Sequence, residues 1–208
     1  KVVASAISNV ASTLGKLSMD ACLYLNQNFG FISFPEELTT GSSIMPHKKN
    51  PDVFELIRSR CNTLQSIPHE ITLITTNLPS GYHRDLQLLK ESLFPAFSQL
   101  KDCIRMTHLM LSNVEVKKDL LKNEKYKYLF SVEEVNKLVL QGIPFRDAYK
   151  NIGQSIEKGE FEYSDELHHT HEGSMGNLCN EEIQGMMKSE IQSFQFDLVN
   201  KKLEQLIQ

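Results

Sequence analysis

Three long apolar stripes constrain the fold of this chain more than any other feature of its sequence. Spacings of three and four residues put successive apolar side chains on one face of an α-helix. The first stripe comprises Val3, Ile7, Val10, Leu14, Leu17, Ala21 and Tyr24. Its helix should end near Phe29, with Gly30 as the stop. The second comprises Val53, Ile57, Cys61, Leu64, Ile67, Ile71, Ile74 and Leu78. The third comprises Leu86, Leu89, Leu93, Phe97, Leu100, Ile104 and Leu111. The stripes predict a bundle of long helices, and therefore an all-α fold.

Boundary residues mark the second of these helices most clearly. Asn50 is a candidate N-cap, Pro51 suits the first helical position, and Asp52 complements the positive end of the helix dipole. Pro68 lies inside the stripe and should kink the helix, because proline lacks an N–H and its ring clashes with the preceding turn. The sequence Pro-Ser-Gly at 79–81 should end the helix.

The length of the three helices has a consequence for assembly. A helix of about 27 residues is about 40 Å long at the standard rise per residue. Three such rods expose more apolar stripe than they can cover among themselves, even if Pro95 bends the third. The sequence therefore predicts that this bundle is buried against other chains in an oligomer.

The pattern changes after residue 113, where shorter helices separated by Gly and Pro replace the long stripes. The predicted helices are 131–141 with a capping box at Ser131, 144–158 opened by Pro144, one capped at Asn180, and a tail with Ile191, Phe194, Leu198 and Leu206. We interpret 1–113 as a bundle segment and 114–208 as a small helical domain. Because KVVASAISNV at the start is already helical in pattern, we expect a longer protein whose N-terminal domain is absent from this chain.

Composition excludes several classes of function. The formal net charge of −4 argues against nucleic acid as the main partner, because phosphate binding needs a basic face. The sequence has no signal peptide and no apolar run long enough to span a membrane, so neither secretion nor membrane insertion is indicated. Four widely spaced cysteines without a C-x-x-C pair indicate buried thiols in a reducing compartment, which suggests the cytoplasm.

The segment GSSIMPHKKNP at 41–51 holds the most concentrated chemistry of the chain. Ser42 could act as a base only if its alkoxide were stabilised, and Lys48 could supply positive charge. Backbone N–H groups at the start of the following helix form a site for anions. This combination suits abstraction of a proton next to a carboxylate, in which negative charge spreads onto the carboxylate oxygens.

The order of these residues resembles the motif G-S-S-x-M-P-x-K-x-N of the fumarase/aspartase superfamily, whose enzymes eliminate C–N or C–O bonds and release fumarate or a close relative. The resemblance implies that Ser42, on a mobile loop, is the base and that Lys48 stabilises the aci-carboxylate intermediate. It also implies that Asn50 contacts substrate and that Glu55 partners a catalytic His from another chain.

A second block, LPSGYHRDLQLLKE at 78–91, resembles the argininosuccinate lyase family, which reads Tyr-x-Lys-Asp-Leu-Gln-x-x-Lys. The resemblance implies that Tyr82, Gln87 and Lys90 bind the substrate. Arg84 replaces the first Lys of the pattern, which keeps the charge but changes the geometry. A third block, GIPFRDAYKNIG at 142–153, is similar to the C-terminal domain of that family, with Tyr149 where a His is usual.

One residue favours a different substrate within the same superfamily. Argininosuccinate lyases usually carry Gln at the position of His47, whereas adenylosuccinate lyases commonly read Met-Pro-His-Lys-Arg-Asn-Pro. We give more weight to the block at 82–90, because it contacts the part of the substrate that differs between the two enzymes. A non-catalytic bundle protein of the same fold is a third reading, since lens structural proteins share this fold.

The resemblance implies a carbon–nitrogen lyase of arginine biosynthesis that converts argininosuccinate to arginine and fumarate. It implies a homotetramer with active sites shared between subunits, and neither cofactor nor metal. The histidines at 168, 169 and 171 are poorly arranged for tetrahedral ligation because adjacent side chains diverge. Since the Thr-His pair and Asn that complete the site would lie in the absent N-terminal portion, this segment alone should be inactive.

Overall fold

The structure is a computed structural model that describes residues 1–41, 44–45, 49–167 and 169–207. It is 67% helical, which confirms the all-α prediction. The helices are α1 (Val2–Leu25), α2 (Asp52–Leu64), α3 (Ile67–Ile74), α4 (Leu89–Ser112), α5 (Ser131–Leu140), α6 (Phe145–Glu157), α7 (Asn180–Ser193) and α8 (Phe196–Ile207). Two-residue strands β1 (Ile32–Ser33), β2 (Thr40–Gly41), β3 (Lys49–Asn50) and β4 (Glu115–Val116) form two antiparallel pairs, β1 with β4 and β2 with β3. None of the described helices is both long and apolar enough to cross a membrane.

The inward face of α1 differs from the predicted stripe. Its buried residues are mostly small: Ala4, Ile7, Ala11, Gly15, Ser18 and Ala21. Val10 and Tyr24 of the predicted stripe are instead 43% and 40% exposed. Small side chains let α1 approach its neighbour closely, and Ser18 Oγ donates to Leu14 O at 2.8 Å, which satisfies its buried hydroxyl. The stripe prediction was therefore wrong for Val3, Val10 and Tyr24, which are exposed, whereas Ile7 and Ala21 of the same stripe are buried.

The second predicted helix is two helices. α2 ends at Leu64 and α3 begins at Ile67, and Pro68 lies in the first turn of α3. Pro68 cannot donate to the carbonyl of Leu64, so a continuous helix would lose a backbone hydrogen bond at the junction. The single-helix prediction was wrong, but the cause of the break is the predicted one. Together α2 and α3 bury Phe54, Ile57, Cys61, Leu64, Ile67 and Ile71.

α4 repeats the pattern of α1. It buries Ala96, Cys103, Thr107 and Met110, and Thr107 Oγ1 donates to Cys103 O at 2.7 Å. Phe97, Ile104 and Leu111 of the predicted stripe are 43–46% exposed. Pro95 lies inside the helix, as the sequence indicated. Large apolar side chains on both α1 and α4 thus lie on the outer surface of the helix group.

A second set of contacts fixes the chain between α1 and α2. Phe34 is 3% exposed and packs on Phe54 of α2, with ring centroids 5.6 Å apart. Residues of β1 pair with β4, in the register Ile32 opposite Val116, and Lys117 N donates to Phe31 O at 2.9 Å. These contacts place residues up to Leu120 in the first of two compact units, Lys1–Leu120 and Leu121–Gln208.

The second unit is built on the pair α5 and α6. Phe130 is buried and stacks on Tyr163, with centroids 4.8 Å apart, and Ser164 N donates to Glu134 Oε1 at 3.0 Å. The predicted capping box is wrong, because Ser131 is already the first residue of α5 and Phe130 occupies the N-cap without a side-chain bond.

The predicted C-terminal helices also need correction. Cys179, with φ 56°, occupies the N-cap of α7, and Asn180 is already helical. The predicted tail helix is two helices that divide at Phe194. Ile191 belongs to α7, whereas Leu198 and Leu206 belong to α8. The described side chains of α7 and α8 are all exposed.

Candidate functional site

A small antiparallel ladder closes the base of the GSSIMPHKKNP segment. In the pairing of β2 with β3, Thr40 lies opposite Asn50 and Gly41 opposite Lys49. The amide Nδ2 of Asn50 donates to Gly41 O at 3.4 Å. Asn50 is the last residue of β3, and only Pro51 separates it from α2. Ser42, Ser43, Pro46, His47 and Lys48 lie outside the described residues.

The start of α2 differs in detail from the prediction. Pro51, not Asn50, occupies the N-cap, and no side chain caps the helix there. Asp52 is the first helical residue, and its carboxylate Oδ2 accepts a hydrogen bond from Thr40 Oγ1. Glu55 follows in the first turn with an exposed side chain. Both carboxylates favour this end of the helix, because the helix dipole is positive there.

The block predicted to bind substrate forms a chain of hydrogen bonds. Lys90 Nζ donates to Gln87 Oε1 at 2.7 Å, and Gln87 Nε2 donates to the hydroxyl oxygen of Tyr82. The Tyr82 side chain is 67% exposed. The row of hydrogen bonds therefore runs from the ammonium of Lys90 to a phenol at the surface. The structure thus brings together three residues that the sequence predicted as one site.

Arg84 and His83 flank this chain. Arg84 begins the short 3-10 helix Arg84–Gln87 and is exposed, beside the other predicted substrate contacts. The ring of His83 is half-buried, and among the residues that the structure describes its buried Nε2 has no hydrogen-bond partner.

A tether that the sequence reading missed supports the same block. Ser92 Oγ, one turn into α4, donates to Glu70 Oε1 of α3 at 2.6 Å. This bond joins the two helices that flank the connection carrying Tyr82. Only the three-dimensional packing of α3 on α4 reveals it, because Glu70 and Ser92 are separated by 22 positions along the chain.

The described members of the two groups of predicted site residues, Asn50 and Glu55 in one and the residues from Tyr82 to Lys90 in the other, lie at opposite ends of the helix group. The start of α4 packs on α3, as the contact between Glu70 and Ser92 shows. Further along α4, Met106 lines a cleft with Val53 at the start of α2. The 14 residues from Ser92 to Met106 span about 20 Å of helix. Within one copy of the chain, the described members of the two groups are therefore not brought together.

The histidine-rich segment has a structural contact. His169 Nε2 lies 2.9 Å from Glu133 Oε1, and both side chains are largely buried. His169 also stacks on His171, with ring centroids 5.6 Å apart. Among the described residues no group of three His, Cys, Asp or Glu side chains could hold a metal ion. His168 lies outside the described residues.

Burial dominates the chemistry of the thiols. Cys61 and Cys103 lie against one another in the core between α2 and α4, and both are free. Desolvation by burial raises the pKa of the Cys61 thiol to about 12, and the neighbouring Cys103 adds to the effect. Desolvation also raises the pKa of Cys103. These thiols are therefore protonated packing groups, as the sequence indicated.

Comparison with known proteins identifies relatives over the whole chain. The chain is 58% identical over 207 residues to an argininosuccinate lyase of Parabacteroides distasonis, which covers 100% of this chain and 46% of the relative. It is 56% identical over 194 residues to an argininosuccinate lyase of Bacteroides fragilis, covering 93% of this chain and 43% of the relative. The chain thus spans about half the length of the curated relatives it matches, and the match lies in their C-terminal part.

Solved structures give the fold independently. One is EDDS lyase in complex with formate, with TM-score 0.63 and 19% identity over 75% of this chain and 32% of that chain. Another is a fumarate lyase:delta crystallin from Brucella melitensis bound to cobalt, with TM-score 0.60 and 20% identity over 76% of this chain and 34% of that chain. The protein family described as Lyase matches residues 2–65. The chain therefore belongs to the fumarase/aspartase superfamily and, over its whole length, is similar to the C-terminal part of argininosuccinate lyases.

Proposed function

We propose that this chain is the C-terminal portion of an argininosuccinate lyase, which eliminates arginine from argininosuccinate and leaves fumarate. The observation that carries the proposal is the hydrogen-bonded chain from Lys90 through Gln87 to Tyr82. These three positions match the block by which the family binds its substrate. An exposed phenol, an amide and an ammonium in one line suit a ligand that carries both carboxylates and a guanidinium group.

The elimination has two steps: abstraction of a proton from carbon, and departure of the nitrogen leaving group. Ser42 takes the proton from the carbon beta to the leaving nitrogen, and the electron pair spreads into the adjacent carboxylate. Lys48 stabilises the resulting aci-carboxylate through its positive charge. The C–N bond then breaks, its electron pair leaves with the guanidinium nitrogen of arginine, and that nitrogen receives a proton from a general acid.

The remaining residues bind and orient the substrate. Asn50 is placed at the start of α2, where its amide and the positive end of the helix suit a substrate carboxylate. Glu55, exposed one turn into α2, partners a histidine from another chain. Arg84 supplies positive charge beside Tyr82 and Gln87. No cofactor or metal takes part in this scheme.

The separation of the two residue groups supports an assembly with shared sites. Since about 20 Å of helix lies between the ends of the helix group, the group at Asn50 and the group at Tyr82 must meet on different copies. We propose a homotetramer whose subunits bury the outward-facing large residues of α1 and α4. Burial of such apolar faces is the main driving force for association.

Sedimentation of the complete gene product tests the assembly. Ile104 is 46% exposed on α4, so Ile104→Glu should leave the fold intact but place a charge in the interface. We expect the wild-type protein to sediment as a tetramer and Ile104→Glu as smaller species. Lys188→Glu, an exposed change on α7 rather than on α1 or α4, is the control. A wild-type monomer at micromolar concentration would contradict the proposal.

The substrate is tested by offering the complete gene product both argininosuccinate and adenylosuccinate. Release of fumarate is followed by its ultraviolet absorbance, with Ser42→Ala as the inactive reference. We expect turnover of argininosuccinate and little of adenylosuccinate. His47 is the sequence feature that favours the alternative, so a preference for adenylosuccinate would assign the protein to that reaction. Turnover of neither substrate would favour a non-catalytic bundle protein.

The segment of 208 residues by itself should release no fumarate, because the histidine that pairs with Glu55 is expected in an N-terminal portion. The same assay applied to the isolated segment checks this expectation. Fumarate formation that Ser42→Ala abolishes would contradict it.

We also propose that the protein acts in the cytoplasm, as a biosynthetic enzyme of arginine. All four cysteines are free, which a reducing compartment maintains. Fractionation of cells that express the complete gene product, followed by immunodetection, tests the location. Recovery with the membrane or secreted fraction would oppose it.

A further inference from the structure

A side-chain contact between β2 and α2 has no role in the proposed reaction. Thr40 Oγ1 donates to Asp52 Oδ2 across the base of the GSSIMPHKKNP segment. Two residues inward, the Nδ2 of Asn50 donates to Gly41 O. The two strands before and after the segment are thus joined by the ladder, by a side-chain amide and by a hydroxyl–carboxylate bond.

Each partner of this bond is itself held by a larger element. Asp52 is the first residue of α2, whose next turns bury Phe54 and Ile57 in the core. The chain that leads to Thr40 is anchored by Phe34, which packs on Phe54. The hydrogen bond from Thr40 to Asp52 therefore joins two parts of the chain that are both fixed to α2. Between this bond and the segment 42–48 lies only the pairing of β2 with β3.

We propose that Thr40 and Asp52 are a positioning pair for the elimination, which holds Asn50 and the paired strands β2 and β3 in register against the start of α2. The inference rests on the proposed function. The pair acts through other residues: Ser42 and Lys48 are attached to the strands that it fixes, and Asn50 lies between the two partners. Small errors in the placement of reacting groups cost large factors in rate, on the order of 100-fold per ångström.

The charge of Asp52 contributes to the arrangement. A carboxylate in the first turn is favoured by the helix dipole, and the Asp52 carboxylate accepts the hydroxyl of Thr40 there. Hydrogen bonds to charged groups contribute more than neutral ones. A hydroxyl at position 40 should thus be the decisive feature, whereas the methyl group of Thr40, on an exposed side chain, should contribute little.

The test uses the complete gene product with two variants at position 40 and one at position 39. Thr40→Val keeps the shape and removes the donor, Thr40→Ser keeps the donor and removes the methyl group, and Thr39→Val is the matched control on the preceding residue. Thr39 Oγ1 donates only to the backbone carbonyl of Glu36, at 3.1 Å. We expect kcat of Thr40→Val to fall about tenfold with KM within about twofold, and Thr40→Ser to restore most of the rate.

A kinetic isotope effect separates positioning from a general structural role. With argininosuccinate deuterated at the carbon that loses its proton, a misplaced base slows proton abstraction and raises the isotope effect on kcat. We expect a larger effect in Thr40→Val than in wild type, and an unchanged effect in Thr39→Val. The double variant Thr40→Val with Asp52→Asn should be little slower than Asp52→Asn alone, because the two changes remove one bond.

The outcomes separate the two proposals. A wild-type protein that releases no fumarate from argininosuccinate refutes the proposed function and with it the pair. An active wild type whose Thr40→Val variant keeps its kcat and isotope effect refutes the positioning pair alone. A Thr40→Ser variant as slow as Thr40→Val would also refute it, because the methyl group rather than the hydrogen bond would then matter.

Discussion

The ammonium of Lys90 donates to the amide oxygen of Gln87 at 2.7 Å, and this bond sets the direction of the whole amide. With its oxygen engaged by Lys90, Gln87 presents its NH₂ group to the hydroxyl oxygen of Tyr82. The phenolic proton of Tyr82 is therefore directed away from Gln87. The ammonium of Lys90 thus orders a surface phenol through one amide, which is how a site can be arranged before its ligand arrives.

Removing the amide should disconnect this chain. We expect Gln87→Leu in the complete gene product to raise KM for argininosuccinate about 10- to 100-fold, since a hydrogen bond to a charged group contributes about 1.5–3 kcal/mol. Steady-state kinetics of fumarate release measure the change. Gln154→Leu, on the exposed face of α6, should have kinetics like those of the wild type. An unchanged KM for Gln87→Leu would contradict a substrate-binding role.

The tether between α3 and α4 should contribute to stability. We expect Ser92→Ala to lower the free energy of unfolding by about 0.5–1.5 kcal/mol, because it removes the bond to Glu70. Urea denaturation followed by circular dichroism measures the loss. Ser98→Ala, an exposed change on the same helix, should lower stability less and serves as the control. Equal stability of the two variants would show that the tether contributes nothing measurable.

Alkaline pH should destabilise the fold through its buried thiols. Burial raises the pKa of Cys61 from 9.0 to about 12, so the unfolded chain loses this proton at lower pH than the folded chain does. The folded state then binds more protons, and the free energy of unfolding falls as pH rises from about 9 to 12. One such thiol lowers it by up to about 1.4 kcal/mol per pH unit.

Denaturation at several pH values, in wild type and in Cys61→Ala, measures this dependence. The variant is less stable at neutral pH because it leaves a cavity, but its stability should fall less steeply above pH 9, since one proton fewer is involved. Tyrosines and lysines titrate in the same range and contribute equally to both proteins. Parallel curves would contradict the assignment.

How much of this could be read from the sequence depends on the scale of the feature. Helical periodicity predicted the long helices, and the resemblance placed Tyr82, Gln87 and Lys90 in one site before any contact was known. Periodicity could not tell which face of a helix meets its own chain, because large apolar residues suit a partner subunit as well as a core. In α1 the inward residues are Ala11, Gly15 and neighbours that a stripe of large side chains overlooks.

The contacts that were missed share one property. Thr40 with Asp52 and Glu70 with Ser92 are pairs of polar residues with no periodic pattern, and they meet because helices and strands pack around them. Nothing in the local sequence distinguishes them from exposed polar residues. The buried nitrogen of His83 belongs to the same group, since its burial comes from the surrounding fold.

The close packing of α1 on α2 at Gly15 gives a test of the small-residue face. A Cβ added at Gly15 would lie 3.5 Å from Cys61 Cβ, which is ordinary van der Waals contact, so a methyl group fits there. We expect Gly15→Ala to raise the free energy of unfolding by up to about 1 kcal/mol, because alanine has the higher helix propensity. Gly15→Leu should lower it by about 1–3 kcal/mol, since its extra carbons overpack the contact with α2.

Chemical denaturation of the two variants, with Gly185→Ala and Gly185→Leu as the pair on exposed α7, measures both effects. The two substitutions should differ far less at Gly185 than at Gly15, and equal differences at the two sites would contradict a close approach of α1 to α2.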